Sequence, residues 1–291
     1  MRRRKDRLTL VGTGRLAHAL ITILPRAGYA LDEIVSRSGG TSEALKEAKR
    51  QGVRRVSFTQ ARFGGDIVWL AVRDSAIRAC ATSIAGAAKW KNKIVLHSSG
   101  ALSSDELEPL RKKGAKVASV HPMMTFVAGK VPNMQGVGWA VEGDPEAVRV
   151  AKKIARDLGG TVLHIDKENK PLYHAFGAFL SPLLVVQMEQ AAELAIAAGI
   201  PRAKLSGMME PIVRQTLSNL FAHLGEKRGA GKAFSGPLVR GDVGTIEKHL
   251  KVLKRNPTAR KLYRALVETA TESDLPVENR KAIRRLLQSS G

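Results

Sequence analysis

The sequence predicts an α/β fold, a doubly wound parallel sheet over residues 1–166 followed by an all-helical domain over residues 167–291. Three observations carry this. Leu8-Thr9-Leu10-Val11 is an apolar, β-branched run that passes at once into a glycine turn and helical periodicity. Short apolar runs then alternate with amphipathic stretches as far as Ile165. After Asp166 no further strand is evident, and apolar residues recur at helical spacing instead.

The first strand, Leu8–Val11, reads as buried on both faces. Gly12-Thr13-Gly14-Arg15-Leu16-Ala17 follows with the spacing G-x-G-x-x-A, and Ala17 to Leu24 reads as a helix. This is the Rossmann glycine fingerprint in its strand–turn–helix setting. Gly12 permits the tight turn, Gly14 lets the backbone approach a pyrophosphate, and Ala17 lets helix and strand pack closely. A diphosphate would then sit on the free N–H groups of the helix N-terminus. The competing reading is an ordinary glycine-rich βα turn.

The second strand is Glu33 to Ser38. An NAD site carries an acidic residue near this point to bond the ribose 2′-hydroxyl. Here the strand ends in Ser36, Arg37 and Ser38. A guanidinium flanked by hydroxyls suits a 2′-phosphate, which a carboxylate would repel, so the expected cofactor is NADP. Arg37 as a solvated loop charge is the alternative. A turn and amphipathic helix follow over 39–51, then a short strand, Arg54–Phe58.

Asp66 to Val72 reads as a central strand. Ala71, Val72, Arg73, Asp74 and Ser75 would then lie at the carboxyl edge of the sheet, where ligands bind in such folds. Asp74 has a second reading as the cap of the next helix. The strand Lys93–His97 exits through Ser98, Ser99 and Gly100 at the same edge. A helix follows over Ser103–Lys113, with Ser103 and Glu106 spaced as a capping box. Val117 to Pro122 is a strand ending in His121-Pro122. Trp139–Glu142, the helix Pro145–Leu158 and Thr161–Ile165 complete a sheet read as parallel.

In the second half one long helix is expected from Pro171 to Ala198, kinked at Pro182, with Gly199 as its C′ residue. Further helices are expected at Arg202–Leu224, Val243–Leu253, Pro257–Ser273 and Pro276–Leu287. The segment Gly225–Gly241 between them is glycine-rich.

The net charge of +22 raises nucleic acid as a partner. The excess is spread, however, with 28 Lys/Arg against 15 Asp/Glu in residues 1–166 and 20 against 11 in residues 167–291. No zinc finger, aromatic RNP stripe or helix-turn-helix accompanies it, so nucleic acid is not the expected partner. The single cysteine, Cys80, gives no disulfide framework and fits a reducing cytoplasm. The run Ala175–Val186 is too short to span a bilayer, so no membrane association is expected. No HExxH or Cys/His cluster points to a metal.

For proton transfer the leading candidate is His174, which shares a helix face with Ala178 and Ser181. His121 is either catalytic or a strand-end residue bonded to backbone. Arg240 either clamps a substrate carboxylate or pairs with Asp242, and Asp242 has a second reading as the N-cap of the helix at Val243. His97 reads as structural.

Taken together, the GxGxxA turn, Ser36-Arg37-Ser38, LHSSGAL (96–102), VHPMMTF (120–126), YHAFGAFLSP (173–182) and GPLVRGD (236–242) resemble a bacterial family. Its members join a Rossmann-like domain to a helical C-terminal domain of unassigned function. They are often described as NADP oxidoreductases of the coenzyme F420-dependent type. More distant relatives are pyrroline-5-carboxylate reductase, ketopantoate reductase and the β-hydroxyacid dehydrogenases. The resemblance implies that Gly12, Gly14, Arg15, Leu16 and Ala17 form the phosphate loop, that Ser36, Arg37 and Ser38 form an NADP-type strand end, and that Val72–Asp74 flank the riboses. It also implies that Ser98, Ser99 and Gly100 face nicotinamide and substrate. The dehydrogenases carry a catalytic lysine on the helix after the sheet. Here that region shows His174, with Lys170 one turn earlier, and Ser181-Pro182 stands where relatives read Ser-Asn.

The function expected is NADP(H)-dependent hydride transfer to a small carbonyl or imine compound, anionic in charge. The alternative is a non-catalytic NADP(H)-binding sensor or interaction protein. A homodimer is expected through the helical half, because the apolar residues of Tyr173–Ala198 wrap more than one helix face.

Overall fold

The computed structural model describes residues 6–37 and 42–289. Two compact units divide after Ser181. The first contains β1 (Arg7–Val11), α1 (Arg15–Arg26), β2 (Ala30–Ser36), α2 (Glu43–Arg50), β3 (Arg54–Ser57), β4 (Ile67–Leu70), α3 (Ile77–Ile84), β5 (Ile94–His97), α4 (Glu108–Arg111), β6 (Lys116–Pro122), β7 (Gly138–Gly143), α5 (Pro145–Asp157), β8 (Thr161–His164) and α6 (Lys170–Leu180). The strands form one sheet in the order β3-β2-β1-β4-β5-β6-β7-β8. One face is covered by α1, α2 and α5, whose Ala17, Leu20, Leu24, Leu45 and Ile154 pack on Leu8, Leu10, Trp69 and Val141. The other is covered by α3 and α4 through Ile77, Ala81, Ile84 and Leu110 on Val11, Val68 and Val95. The expected double winding is thus present.

The sheet is not wholly parallel. β1 to β6 run together, but β7 is antiparallel to β6 and β8 follows β7. The cause lies in residues 123–137, which contain no helix. Without a helical crossover the chain cannot return to start a parallel neighbour, so it folds straight back. The helix expected over Ser103–Lys113 is also altered. A tight 3₁₀ turn, Ser104–Leu107, precedes the short α4. Pro109 has no N–H to give Asp105, so an α ladder cannot run through this point. The capping box is absent: Ser103 Oγ accepts the N–H of Asp105 instead.

The expected long helix is two helices. Ser181 leaves helical geometry at φ −130°, ψ −84°, one residue before the proline. The first unit extends to this break rather than to Asp166. One of its holds on α6 is the wholly buried Lys170 side chain, which bonds the Ser99 carbonyl and Ser119.

The second unit contains α7 (Pro182–Ala197), α8 (Leu205–His223), α9 (Gly229–Ala233), α10 (Val243–Val252), α11 (Pro257–Glu272) and α12 (Arg280–Ser289). Gly199 closes α7 at φ +89°, as its position suggested. The core joins Ile246, Leu250, Val267, Ala270, Ile283 and Leu287 of α10–α12. The last helix starts at Arg280, not Pro276, because Asn279 takes a left-handed conformation at φ +51° and its side-chain amide donates to the carbonyl of Gly241. Arg280 then donates to the carbonyls of Thr271, Ser273, Leu275 and Val277, closing the end of α11.

Candidate functional site

The glycine turn is built for backbone, not side chains. Gly12 sits at φ +116°, and a Cβ there would lie 2.3 Å from the carbonyl oxygen of Ala71. No other residue fits without moving β4. Gly14 is the N-cap of α1, and a Cβ added to it meets nothing within 4 Å. No side chain caps α1, and its first turn holds no acid. The N–H groups of a 12-residue helix therefore open onto free space beside Gly14. That arrangement fits a phosphate group. Ala17 is wholly buried, with Leu16 partly buried beside it. Thr13 and Arg15 complete the turn, and Arg15 is exposed.

Beside the turn, β2 ends at Ser36, and Arg37 is exposed next to it. Ser38 lies outside the described residues. The nearest acid on β2, Glu33, is buried and already holds Arg54 and the N–H groups of Arg62 and Phe63. It is a fastener for the following loop, not a ribose ligand.

Next along the same edge, Ala71 and Val72 touch Gly12. Arg73 and Asp74 are exposed. Asp74 caps no helix; its Oδ2 accepts the Ser99 hydroxyl proton at 2.7 Å. Ser99 Oγ in turn accepts the N–H groups of Ala101 (3.2 Å) and Leu102 (2.9 Å). Its hydrogen-bonding capacity is spent, and the side chain is buried. Ser99, expected to face nicotinamide and substrate, is here a fully bonded hydroxyl. The Ser98 oxygen accepts the indole N–H of Trp69 at 2.8 Å. His97 is structural, as expected. Its Nδ1 accepts the Ser99 N–H at 3.1 Å, which puts the proton on Nε2 for the Ser103 carbonyl at 2.9 Å. Burial pushes its pKa down to about 4, so it stays neutral.

The strand β6 and helix α6 bring a second group to this edge. A Cβ on Gly100 would come within 2.7 Å of His174 Cδ2 and 2.9 Å of His121 Nε2. Gly100 is thus the floor on which both imidazoles rest. The His121 and His174 rings meet edge to face, 6.2 Å apart. His121 Nδ1 lies 3.0 Å from the Tyr173 hydroxyl. Burial, with help from the charges of Lys170 and His174, pushes His121 down to about 4. Burial also pushes Tyr173 up to about 12. His174 itself is exposed. The face expected to join His174 to Ser181 ends early, because Ser181 is outside the helix.

Lys170 lies beneath. Its Nζ donates to Ser119 Oγ at 2.8 Å and to the Ser99 carbonyl at 3.1 Å, and Glu142 Oε1 is 3.9 Å away. Ser119 Oγ donates to the same Ser99 carbonyl. Burial lowers the Lys170 pKa against the pull of Glu142 and Asp74. Two residues at this edge were missed from the sequence as site residues, Lys170 and Tyr173. Lys170 had a signal, its place at the start of the helix after the sheet. Tyr173 had only its place beside His174 in YHAFGAFLSP, since folding alone brings its ring to His121.

Arg240 and Asp242 belong to the second unit. Asp242 is the N-cap of α10: Oδ1 accepts the Thr245 N–H at 3.0 Å and Oδ2 the Thr245 hydroxyl at 2.7 Å. These bonds hold its pKa below the usual carboxylate range. Of the readings offered by the sequence, the structure shows the N-cap. Arg240 is exposed.

Residues 1–122 match the Rossmann-like domain, and residues 137–270 match a domain of unknown function, DUF2520. Among curated proteins nothing matches. Among solved structures, a Bacteroides fragilis protein named as a candidate NADP oxidoreductase is 21% identical, with a TM-score of 0.78 over 93% of this chain and 99% of its own. An imine reductase from Myxococcus stipitatus, solved with NADP⁺, is 16% identical, with a TM-score of 0.64 over 96% and 99%. A 1-pyrroline-5-carboxylate reductase from Streptococcus pyogenes is 18% identical, with a TM-score of 0.59 over 92% and 99%. At these identities the likeness is one of fold. The chain thus pairs a Rossmann-like domain with a DUF2520 domain.

Proposed function

We propose that this protein is an NADP(H)-dependent oxidoreductase that passes hydride to a small carbonyl or imine compound. The observation that carries the reading is the turn at Gly12 and Gly14, which leaves an uncapped helix end facing open space. On the same sheet edge stand Asp74, Ser99, Gly100, His121 and His174, within the first unit. The strands between, β1, β4, β5 and β6, are neighbours in that order, so the two clusters are roughly 14 Å apart at the usual strand spacing. The shared fold with an imine reductase solved with NADP⁺ agrees with this use of the edge.

The bound cofactor would supply the hydride. Gly12, Thr13, Gly14, Arg15, Leu16 and Ala17 would hold its diphosphate through backbone N–H groups and the α1 dipole. Ser36 and Arg37 would take the 2′-phosphate, with Ser38 beside them, and Ala71–Asp74 would border the riboses. Ser99, fixed by Asp74, shapes the floor for the reacting group.

We also propose a homodimer, in a reducing cytoplasm where Cys80 stays a buried thiol. Among described residues, α7 buries no side chain, and Leu183, Val185, Val186, Met208, Ile212 and Phe221 are exposed. The stretch Lys167–Ala197 is long and apolar enough to cross a membrane by length and composition. Its backbone break at Ser181 would leave polar groups unsatisfied in hydrocarbon. A second copy of the chain is the better cover.

The experiment is deuteride transfer. Full-length protein is mixed with 4-deuterated NADPH and a set of cyclic imines and 2-oxo acids. A product carrying deuterium on the former C=N or C=O carbon supports the reading. NADPH binding without transfer to any member would favour a cofactor sensor instead.

A further inference from the structure

Hydride delivery needs a proton for the heteroatom, and the edge offers few groups able to give one. Lys170 is wholly buried, and its Nζ donates to the Ser99 carbonyl and Ser119 Oγ. Ser99 spends its proton on Asp74. Both nitrogens of His97 are bonded. What is left around Gly100 is His121, Tyr173 and His174. Among these one pair is hydrogen-bonded, His121 Nδ1 with the Tyr173 hydroxyl at 3.0 Å, with the rings at 89°.

That bond can run in a productive sense. With its proton on Nδ1, His121 donates to the phenol oxygen, which leaves the phenol's own O–H free to donate elsewhere. Tyr173 is half-buried, and its hydroxyl is held by His121 Nδ1. We propose that Tyr173 is the proton donor of the reaction, with His121 as the positioning residue that orients it. The proposal rests on the reductase reading above.

The reduced nicotinamide gives a hydride, with its electron pair, to the carbon of C=N or C=O. The π pair moves onto the heteroatom, which takes the Tyr173 hydroxyl proton. A C–H bond and an N–H or O–H bond form; the nicotinamide C–H and the phenol O–H break. The substrate carbon is reduced and the nicotinamide is oxidised. The phenolate keeps the O–H pair, is held by His121 Nδ1–H, and regains a proton from water. Nitrogen or oxygen that has just received the π pair is far more basic than a phenolate, so the transfer runs downhill. The raised Tyr173 pKa keeps the phenol protonated at neutral pH, and the lowered His121 pKa keeps the imidazole neutral.

The test compares full-length wild type, Tyr173→Phe, and protein with 3,5-difluorotyrosine at position 173, using NADPH with 2-methyl-1-pyrroline and a set of ketones. We expect Tyr173→Phe to bind NADPH within about twofold of wild type while kcat drops roughly a hundredfold or more, the usual weight of a general acid. Difluorotyrosine keeps the size and hydroxyl but acidifies it, so the alkaline limb of kcat should move to lower pH. If the Phe variant fails to fold, this shift decides. Unchanged kcat in a folded Phe variant, or an unmoved limb, overturns the role of Tyr173 and leaves the reductase reading intact. A wild type that binds NADPH yet reduces none of these compounds overturns both.

Discussion

His97 and His121 are neutral because they are buried, and that has a consequence for stability. Each drops from an ordinary 6.5 to about 4 in the folded protein. Unfolding frees both to bind protons, so the unfolded state takes up more protons between those values. The stability they support is whole above pH 6.5 and is lost as pH falls toward 4. The urea midpoint should fall between pH 7 and pH 5, and His121→Asn should flatten that fall. An equal slope in the variant would assign the acid sensitivity elsewhere. Arg37 carries a different prediction. Its replacement by Ala should weaken NADPH binding by about tenfold to a hundredfold, the size of a lost charge-assisted contact, and leave NADH unchanged. At this scale the sequence was partly legible. Asp242 is the N-cap its position before Val243 allowed, and His97 is structural as read. The bonds of the Ser98 and Ser99 hydroxyls were not legible, because Trp69 and Asp74 reach them from 29 and 25 residues away.

Elements were read best where local chemistry decides them. The strand, turn and helix from Arg7 to Arg26 are set by neighbours in sequence, and the structure keeps them. The turn invites a paired test. Gly12→Ala must leave φ +116° or press on the Ala71 carbonyl, so it should cost roughly 1–3 kcal/mol in stability as well as cofactor binding. Gly14→Ala meets nothing within 4 Å, so it should fold normally and lose affinity for NADPH alone. Thermal melts with and without NADPH separate the two outcomes. A Gly12→Ala melt equal to wild type would refute the steric account. Elements were misread where tertiary terms decide. The reversal of β7 depends on a helix missing from 123–137, and alternation of apolar runs does not report direction. The break at Ser181 falls beside the expected proline, but its place as the border between units is a matter of tertiary contacts.

For the whole molecule, two proposals remain exposed to measurement. A homodimer accounts for the uncovered apolar residues of α7 and α8. Light scattering after size exclusion at micromolar concentration should give about twice the chain mass of 31.4 kDa. A mass near one chain would sink the dimer. Breaking the contact with Val185→Glu should return the mass to one chain. The basic charge of +22 does not by itself select a partner, since it is shared between both halves of the sequence. What gives the molecule a function in this account is the cofactor edge of its first unit, from Gly12 to His174. The most direct measurement is calorimetric titration of NADPH and of NADH into the full-length wild-type protein at fixed ionic strength. The account predicts one NADPH per chain, bound about tenfold to a hundredfold more tightly than NADH. Equal affinities, or no binding of either, would contradict it.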